Sequence, residues 1–124
     1  PLFYNRGMTH YSVVADGPFQ QIKNGERLIE PRLNDKAHKA IRPGDLIVLT
    51  NRTSREEIIT KVVGVLRYPS FVELLQAYPA ARFGADDDRT VLTEMRRYYT
   101  PEQEMTHGVL GIKLHLLKAA VHGS

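Results

Sequence analysis

The chain has no cysteine, which excludes a disulfide framework and a thiolate zinc site. No apolar run approaches the roughly 20 residues that cross a bilayer. A leader with successive basic, apolar and small-residue regions is also missing. A soluble, cytoplasmic protein with no membrane partner is therefore expected. There is no phosphate-loop glycine pattern, no nucleophile-elbow motif and no H-E-x-x-H zinc pattern. The five histidines, at 10, 38, 107, 115 and 122, are too dispersed to suggest a ligand set. No metal and no other cofactor is expected.

What the chain does contain is one domain's worth of core: 124 residues, 42% of them hydrophobic, large enough to fold without staples. Residues 1–7 read as a tag or processed remnant, residues 8–117 as the domain, and residues 118–124 as a tail. The formal charge is +3 and unevenly spread. From Gln20 to Arg67 there are ten Lys or Arg against six acids, whereas the remainder carries seven against eight. A mixed-sign solvated surface produces such numbers, and so does a face built for a polyanion.

Local signals place the elements. Tyr11 to Val14 reads as a strand, and Asp16-Gly17-Pro18 opens a short helix that Gly25 closes. Leu28 to Leu33 reads as a strand, Lys36 to Ala40 as a helical turn, and Arg42-Pro43-Gly44-Asp45 as a turn. Leu46 to Leu49 and Ile58 to Leu66 form a hairpin around Asn51 to Arg55, with a bulge expected at Gly64. Ser70 and Glu73 form a capping box for a helix burying Phe71, Leu74, Leu75 and Tyr78. The acidic triplet Asp86 to Asp88 precedes a helix carrying Val91, Leu92, Met95 and Tyr99, where carboxylates complement the helix dipole. Thr100-Pro101-Glu102-Gln103 starts one more helix, and Leu110 to Leu116 alternates as a half-buried strand.

The stretch from Lys23 to Asp35 carries the chemistry. Strand alternation puts Ile29, Pro31 and Leu33 on one face, with Glu30 and Arg32 as neighbours on the other. Arg27 can lean over them from the strand's start, and Lys23 sits at the preceding helix end. Two readings are compatible with this: an edge strand kept soluble by its charges, with Pro31 marking the edge, or a polar cleft. Farther on, Arg96, Arg97, Tyr98 and Tyr99 combine cations with phenols that could stack a base and hold a phosphate. Adjacent helical residues diverge by about 100°. One tyrosine thus belongs to the core and the other, assigned as Tyr98, to a site.

The segment Ile22 to Asp35, followed by Ile41-Arg42-Pro43-Gly44-Asp45, resembles the signature of ASCH domains. In those domains I-K-x-G-x-K-x-x-E-x-R-L-x-D precedes a P-G-D or V-G-D turn. Tyr98 to Glu104 and Gly108 to Ile112 are similar to that family's C-terminal pattern, so the resemblance runs from Met8 to about Leu117. It implies a mixed α/β fold of α+β type, a PUA-like bent β-barrel with short flanking helices. It also implies an association with RNA binding, with small ribonucleases and, in one branch, with amide hydrolysis of acetylated cytidine.

One position departs from the family pattern, and a second differs from its hydrolytic branch. Arg27 stands where the family usually has Lys, and arginine stays protonated and cannot act as a general base. The hydrolytic branch has a Thr nucleophile at the position matching Glu30 and an acid near the position matching Asp88. Glu30, Arg27 and Asp88 are thus the candidate catalytic residues of a metal-independent ribonuclease or amidohydrolase. Lys23, Arg27, Glu30, Arg32 and Tyr98 are the candidates for binding RNA or a nucleotide-like small molecule. Binding ranks first and hydrolysis second, because Arg27 and Arg32 would keep Glu30 too acidic for a strong base. A protein-interaction domain ranks third.

Overall fold

The computed structural model describes residues 7–119. Residues 1–6, most of the stretch assigned above to a remnant, lie outside them, as do residues 120–124. Five strands form one curled sheet in the order β1-β3-β4-β5-β2. They are β1 (Thr9–Val14), β2 (Ile29–Leu33), β3 (Leu46–Asn51), β4 (Glu57–Tyr68) and β5 (Val109–Ala119). Among the described residues, four α-helices accompany it, α1 (Asp16–Lys23), α2 (Phe71–Ala77), α3 (Asp88–Arg96) and α4 (Pro101–His107), with a 3₁₀ turn at Ala80–Arg82. This is the mixed α+β, PUA-like half-barrel that the sequence implies. β5 continues to Ala119, pairing Lys118 with Ile59 and Ala119 with Ile58, so the stretch assigned to a tail begins inside a strand.

The hairpin β3–β4 is antiparallel and turns at Asn51, whose side-chain oxygen accepts from the Thr53 and Ser54 backbone N–H groups. β4 bends where its register against β5 shifts, between Val62 and Gly64. A Cβ on Gly64 would lie 3.0 Å from the Lys113 side chain, so the missing side chain lets the strands close up there. β1 joins β3 in parallel, a pairing that no local sequence signal announces. Lys36 to Ala40 forms turns rather than a helix, held by the Lys39 N–H on the Asp35 carbonyl. The caps form as their residue types dictate: Ser70 on α2, Asp87 on α3, and a reciprocal Thr100–Gln103 box on α4.

Two cores result. Phe19, Ile47, Leu49, Ile58, Val62 and Ile112 belong to the one that fills the barrel. Ile29, Phe71, Leu74, Phe83, Met95 and Val109 belong to the other, which joins β2 and β5 to α2 and α3. Strand alternation divides β2 between two faces. Ile29 enters the helical core and Leu33 is buried, whereas Glu30 and Arg32, paired opposite Ile112 and Leu110, face the barrel. β1 and β2 are the two ends of the sheet and do not pair with each other. The barrel therefore has a seam, and the inward residues on its two lips are polar: His10 and Ser12 from β1, Glu30 and Arg32 from β2.

Candidate functional site

The seam is organised by Glu30. Its carboxylate accepts from Arg27 Nε at 2.8 Å and from Arg27 Nη2 on one oxygen, and from Arg32 Nη2 at 2.9 Å on the other. Arg27 also donates to Glu94 of α3, from Nη1 at 3.1 Å and from Nη2 at 2.9 Å. Arg27 is 3% exposed and Glu30 4%, so the carboxylate does not lie on the open face that alternation suggested. It is sealed into an Arg–Glu network, because α3 folds over the edge strand. Burial pushes the Glu30 pKa up, but Arg32 and Arg27 outweigh it and hold the carboxyl below its ordinary value. Burial likewise works against charge on Arg27, and Glu30 and Glu94 more than restore it.

Two cavities open on this network and share Arg27, Glu94, Tyr98, Ala15 and Pro18. The larger, about 630 Å³, lies between α1 and α3. The smaller, about 220 Å³, reaches the seam at Glu30 and Arg32. Together they make one groove. Along it stand Arg89 from α3, Arg97 at the C-cap of that helix and Arg52 from the β3–β4 turn, all exposed, none with an ion-pair partner among the described residues. Tyr98 is 54% exposed and lines both cavities. Its neighbour Tyr99 is half-buried, stacked on Phe71 with ring centroids 6.0 Å apart.

Of the residues singled out from sequence, Arg27, Glu30, Arg32 and Tyr98 come together here. Lys23 does not. Its ammonium pairs with Glu56 of the β3–β4 turn at 2.6 Å and lines neither cavity. Asp88 is also elsewhere, exposed at the start of α3, where Asp87 takes the cap. The acid of α3 that meets Arg27, beside Glu30 of β2, is Glu94, six residues on from Asp88 and on another face of the helix. Glu94, Arg52 and Arg89 escaped the sequence reading. A signal for Glu94 existed: it precedes Tyr98 by four residues, and such pairs share a helix face.

A second polar cluster borders the seam. Asp45, buried at 4%, accepts from the Met8 and Arg42 backbone N–H groups at 3.0 Å each, and lies 2.8 Å from His10 Nε2. Burial raises its pKa, and these three partners together lower it below the ordinary value. His38 Nδ1 lies 2.6 Å from Asp35 across the same opening. Among the described residues, no helix is long and apolar enough to cross a membrane.

Comparison with known proteins bears on this site. The ASCH domain family model matches residues 14–118. The hypothetical protein PH0355 is 27% identical, with a TM-score of 0.79 over 89% of this chain and 100% of that one. Protein PF0455 from Pyrococcus furiosus is 26% identical, with a TM-score of 0.70 over 90% and 99%. An ASCH domain from Lactobacillus crispatus shares the fold at 16% identity, with a TM-score of 0.65 over 86% and 79%. No curated protein sequence matches the chain.

Proposed function

The chain belongs to the ASCH domain family, and from that membership and the groove we propose that it binds RNA or a nucleotide between α1, α3 and the β2 edge. The observation that carries this reading is the set of three exposed guanidiniums, without ion-pair partners among the described residues, beside an exposed tyrosine. Arg52, Arg89 and Arg97 offer phosphate contacts, and Tyr98 offers a ring on which a base can stack. Arg32 is less available, because one of its nitrogens is on Glu30 and another on the Pro31 carbonyl. The buried Arg27–Glu30–Glu94 network sets the groove's shape and supplies a rigid polar floor, on which weakly held surface arginines can act.

The hydrolase reading is weaker on the same geometry. A general base needs a free lone pair and a pKa near the working pH. Glu30 already accepts three guanidinium hydrogen bonds, and Arg32 and Arg27 hold its pKa below the ordinary value against the opposing effect of burial, far from a working base. Arg27, buried and charged, cannot substitute for a basic lysine.

Fluorescence anisotropy with short single-stranded RNAs tests the proposal, alongside incubation of the protein with RNA and acylated nucleosides in chelator. Binding without turnover is expected, with Tyr98→Ala weakening it by about 1–3 kcal/mol, the usual contribution of a base stacked on an aromatic ring. Cleavage in chelator that disappears in Glu30→Gln would make the protein an enzyme instead.

A further inference from the structure

The face of the sheet turned away from the barrel core carries an apolar row. Tyr11 of β1 is in register with Val48 of β3, and Val48 with Ile59 of β4, so the three side chains share one face. That face is the outer one, because the residues flanking them in β3 and β4, Ile47, Leu49 and Ile58, are buried in the barrel core. Leu117 stands beside Ile59, where the register of β5 shifts. Tyr11 is 77% exposed and Leu117 50%, and among the described residues nothing lies over them. Single apolar residues scattered over a surface need no explanation, whereas a contiguous set running across neighbouring strands marks a contact surface.

The charges around the row say what covers it. Glu57 and Lys61 lie on the same face of β4, one two residues before Ile59 and the other two residues after. Both are exposed, and neither has an ion-pair partner among the described residues. A two-fold axis laid along the row, between two copies packed face to face, reverses the strand direction and leaves the row opposite itself. Each Glu57 then falls on Lys61 of the other copy, and Tyr11 meets Tyr11. A two-fold axis along β4 would instead set Glu57 on Glu57 and Lys61 on Lys61. The face is therefore self-complementary about one axis only, which is what an isologous interface requires.

We propose that the chain forms a weak two-fold dimer through this outer face. The two sheets pack in the aligned manner, about 10 Å apart, on the row Tyr11–Val48–Ile59, with a Glu57–Lys61 pair on either side. The face spans β1, β3, β4 and β5, about 4.8 Å apart and about six residues long, so it measures about 20 Å each way. Such a patch, about 400 Å² in projection, is smaller than the about 800 Å² per partner of a standard interface. Association in the micromolar range, dependent on concentration, is the consequence. The inference is independent of the nucleotide-binding reading.

Sedimentation velocity on the full chain, from low to high micromolar concentration at low salt, tests the dimer. The wild type should show a monomer–dimer equilibrium, and Tyr11→Asp should abolish it. Glu57→Lys alone, or Lys61→Glu alone, sets like charges opposite each other at two symmetric places and should weaken dimerisation about tenfold. The double exchange, Glu57→Lys with Lys61→Glu, restores opposite charges and should return the affinity to within about threefold of wild type. Thermal unfolding confirms that all four variants fold. A wild type that stays monomeric throughout the range, or a dimer that persists in folded Tyr11→Asp, overturns the proposal. A double exchange no tighter than the single changes overturns it as well, because the two-fold arrangement demands the rescue.

Discussion

Replacing Glu30 by glutamine probes the network on which the site is built. The carboxylate holds two guanidiniums, and Arg27, 3% exposed, would be left with Glu94 as its anionic partner and the Phe83 carbonyl. Breaking a buried ion pair by removing one partner costs about 3–5 kcal/mol. Glutamine keeps an accepting oxygen and Glu94 remains, so the lower end, about 3 kcal/mol, is expected. With a urea slope of about 1.5 kcal/mol/M for a domain of this size, the unfolding midpoint at pH 7 should fall by about 2 M. The effect should also depend on pH in a definite sense. Arg32 and Arg27 hold the folded pKa of Glu30 below its ordinary value of 4.5 against the opposing effect of burial, so the unfolded chain takes up the proton first. The stabilisation is therefore complete above the unfolded pKa and is lost as pH falls through the lower folded one. The gap between wild type and Glu30→Gln should persist from pH 7 to about pH 5 and narrow below about pH 4. A midpoint shift under about 0.5 M at pH 7, or a gap as large at pH 3 as at pH 7, would refute the reasoning.

Other perturbations follow from single contacts. Glu104, 6% exposed, accepts the first N–H of α2, that of Phe71, at 2.7 Å and also holds Arg96. Glu104→Ala strands that buried donor and should cost about 2 kcal/mol, read as a fall of roughly 8 °C in a thermal melt. Asp45→Ala removes the acceptor of two backbone N–H groups and the partner of His10. It should cost about 2–3 kcal/mol and loosen hydrogen-exchange protection at Met8 and Arg42. Asp45 is held below its ordinary pKa, so its contribution, like that of Glu30, should fade on acidification; chemical denaturation at pH 7 and pH 3 checks this. Lys23→Ala, removing an ion pair outside the groove, should leave RNA affinity unchanged within a factor of about two in the same anisotropy assay.

The fold was largely legible because its signals are local. Capping residues, the hairpin turn at Asn51 and the alternation of β5 each depend on a few neighbouring residues, and each formed where those residues stand. The parallel union of β1 with β3 depends on how the chain returns to itself, and short-range pattern carries no trace of it. The site divides in the same way. Glu30 and Arg32 are two residues apart, so strand geometry alone brings them together. Lys23 was drawn to the cleft by its proximity in sequence, yet its partner Glu56 comes from the distant hairpin turn. Asp88 is the acid to which the family resemblance points, but position along α3 decides which of its acids meets Arg27, and Glu94 faces the groove. The burial of Glu30 was illegible for a related reason: alternation gives two faces, and here both are covered, one by helices and one by the barrel.

The central claim is that exposed arginines along the groove hold phosphates. It is tested most directly by measuring short single-stranded RNA affinity across salt for the wild type and for the Arg52, Arg89 and Arg97 to alanine triple variant. Each phosphate contact on a single strand contributes about −0.7 to the slope of log K against log salt. The triple variant should bind more weakly, with a slope shallower by about 2. A wild type whose RNA affinity is indifferent to salt, or a triple variant with unchanged affinity and slope, would contradict the account.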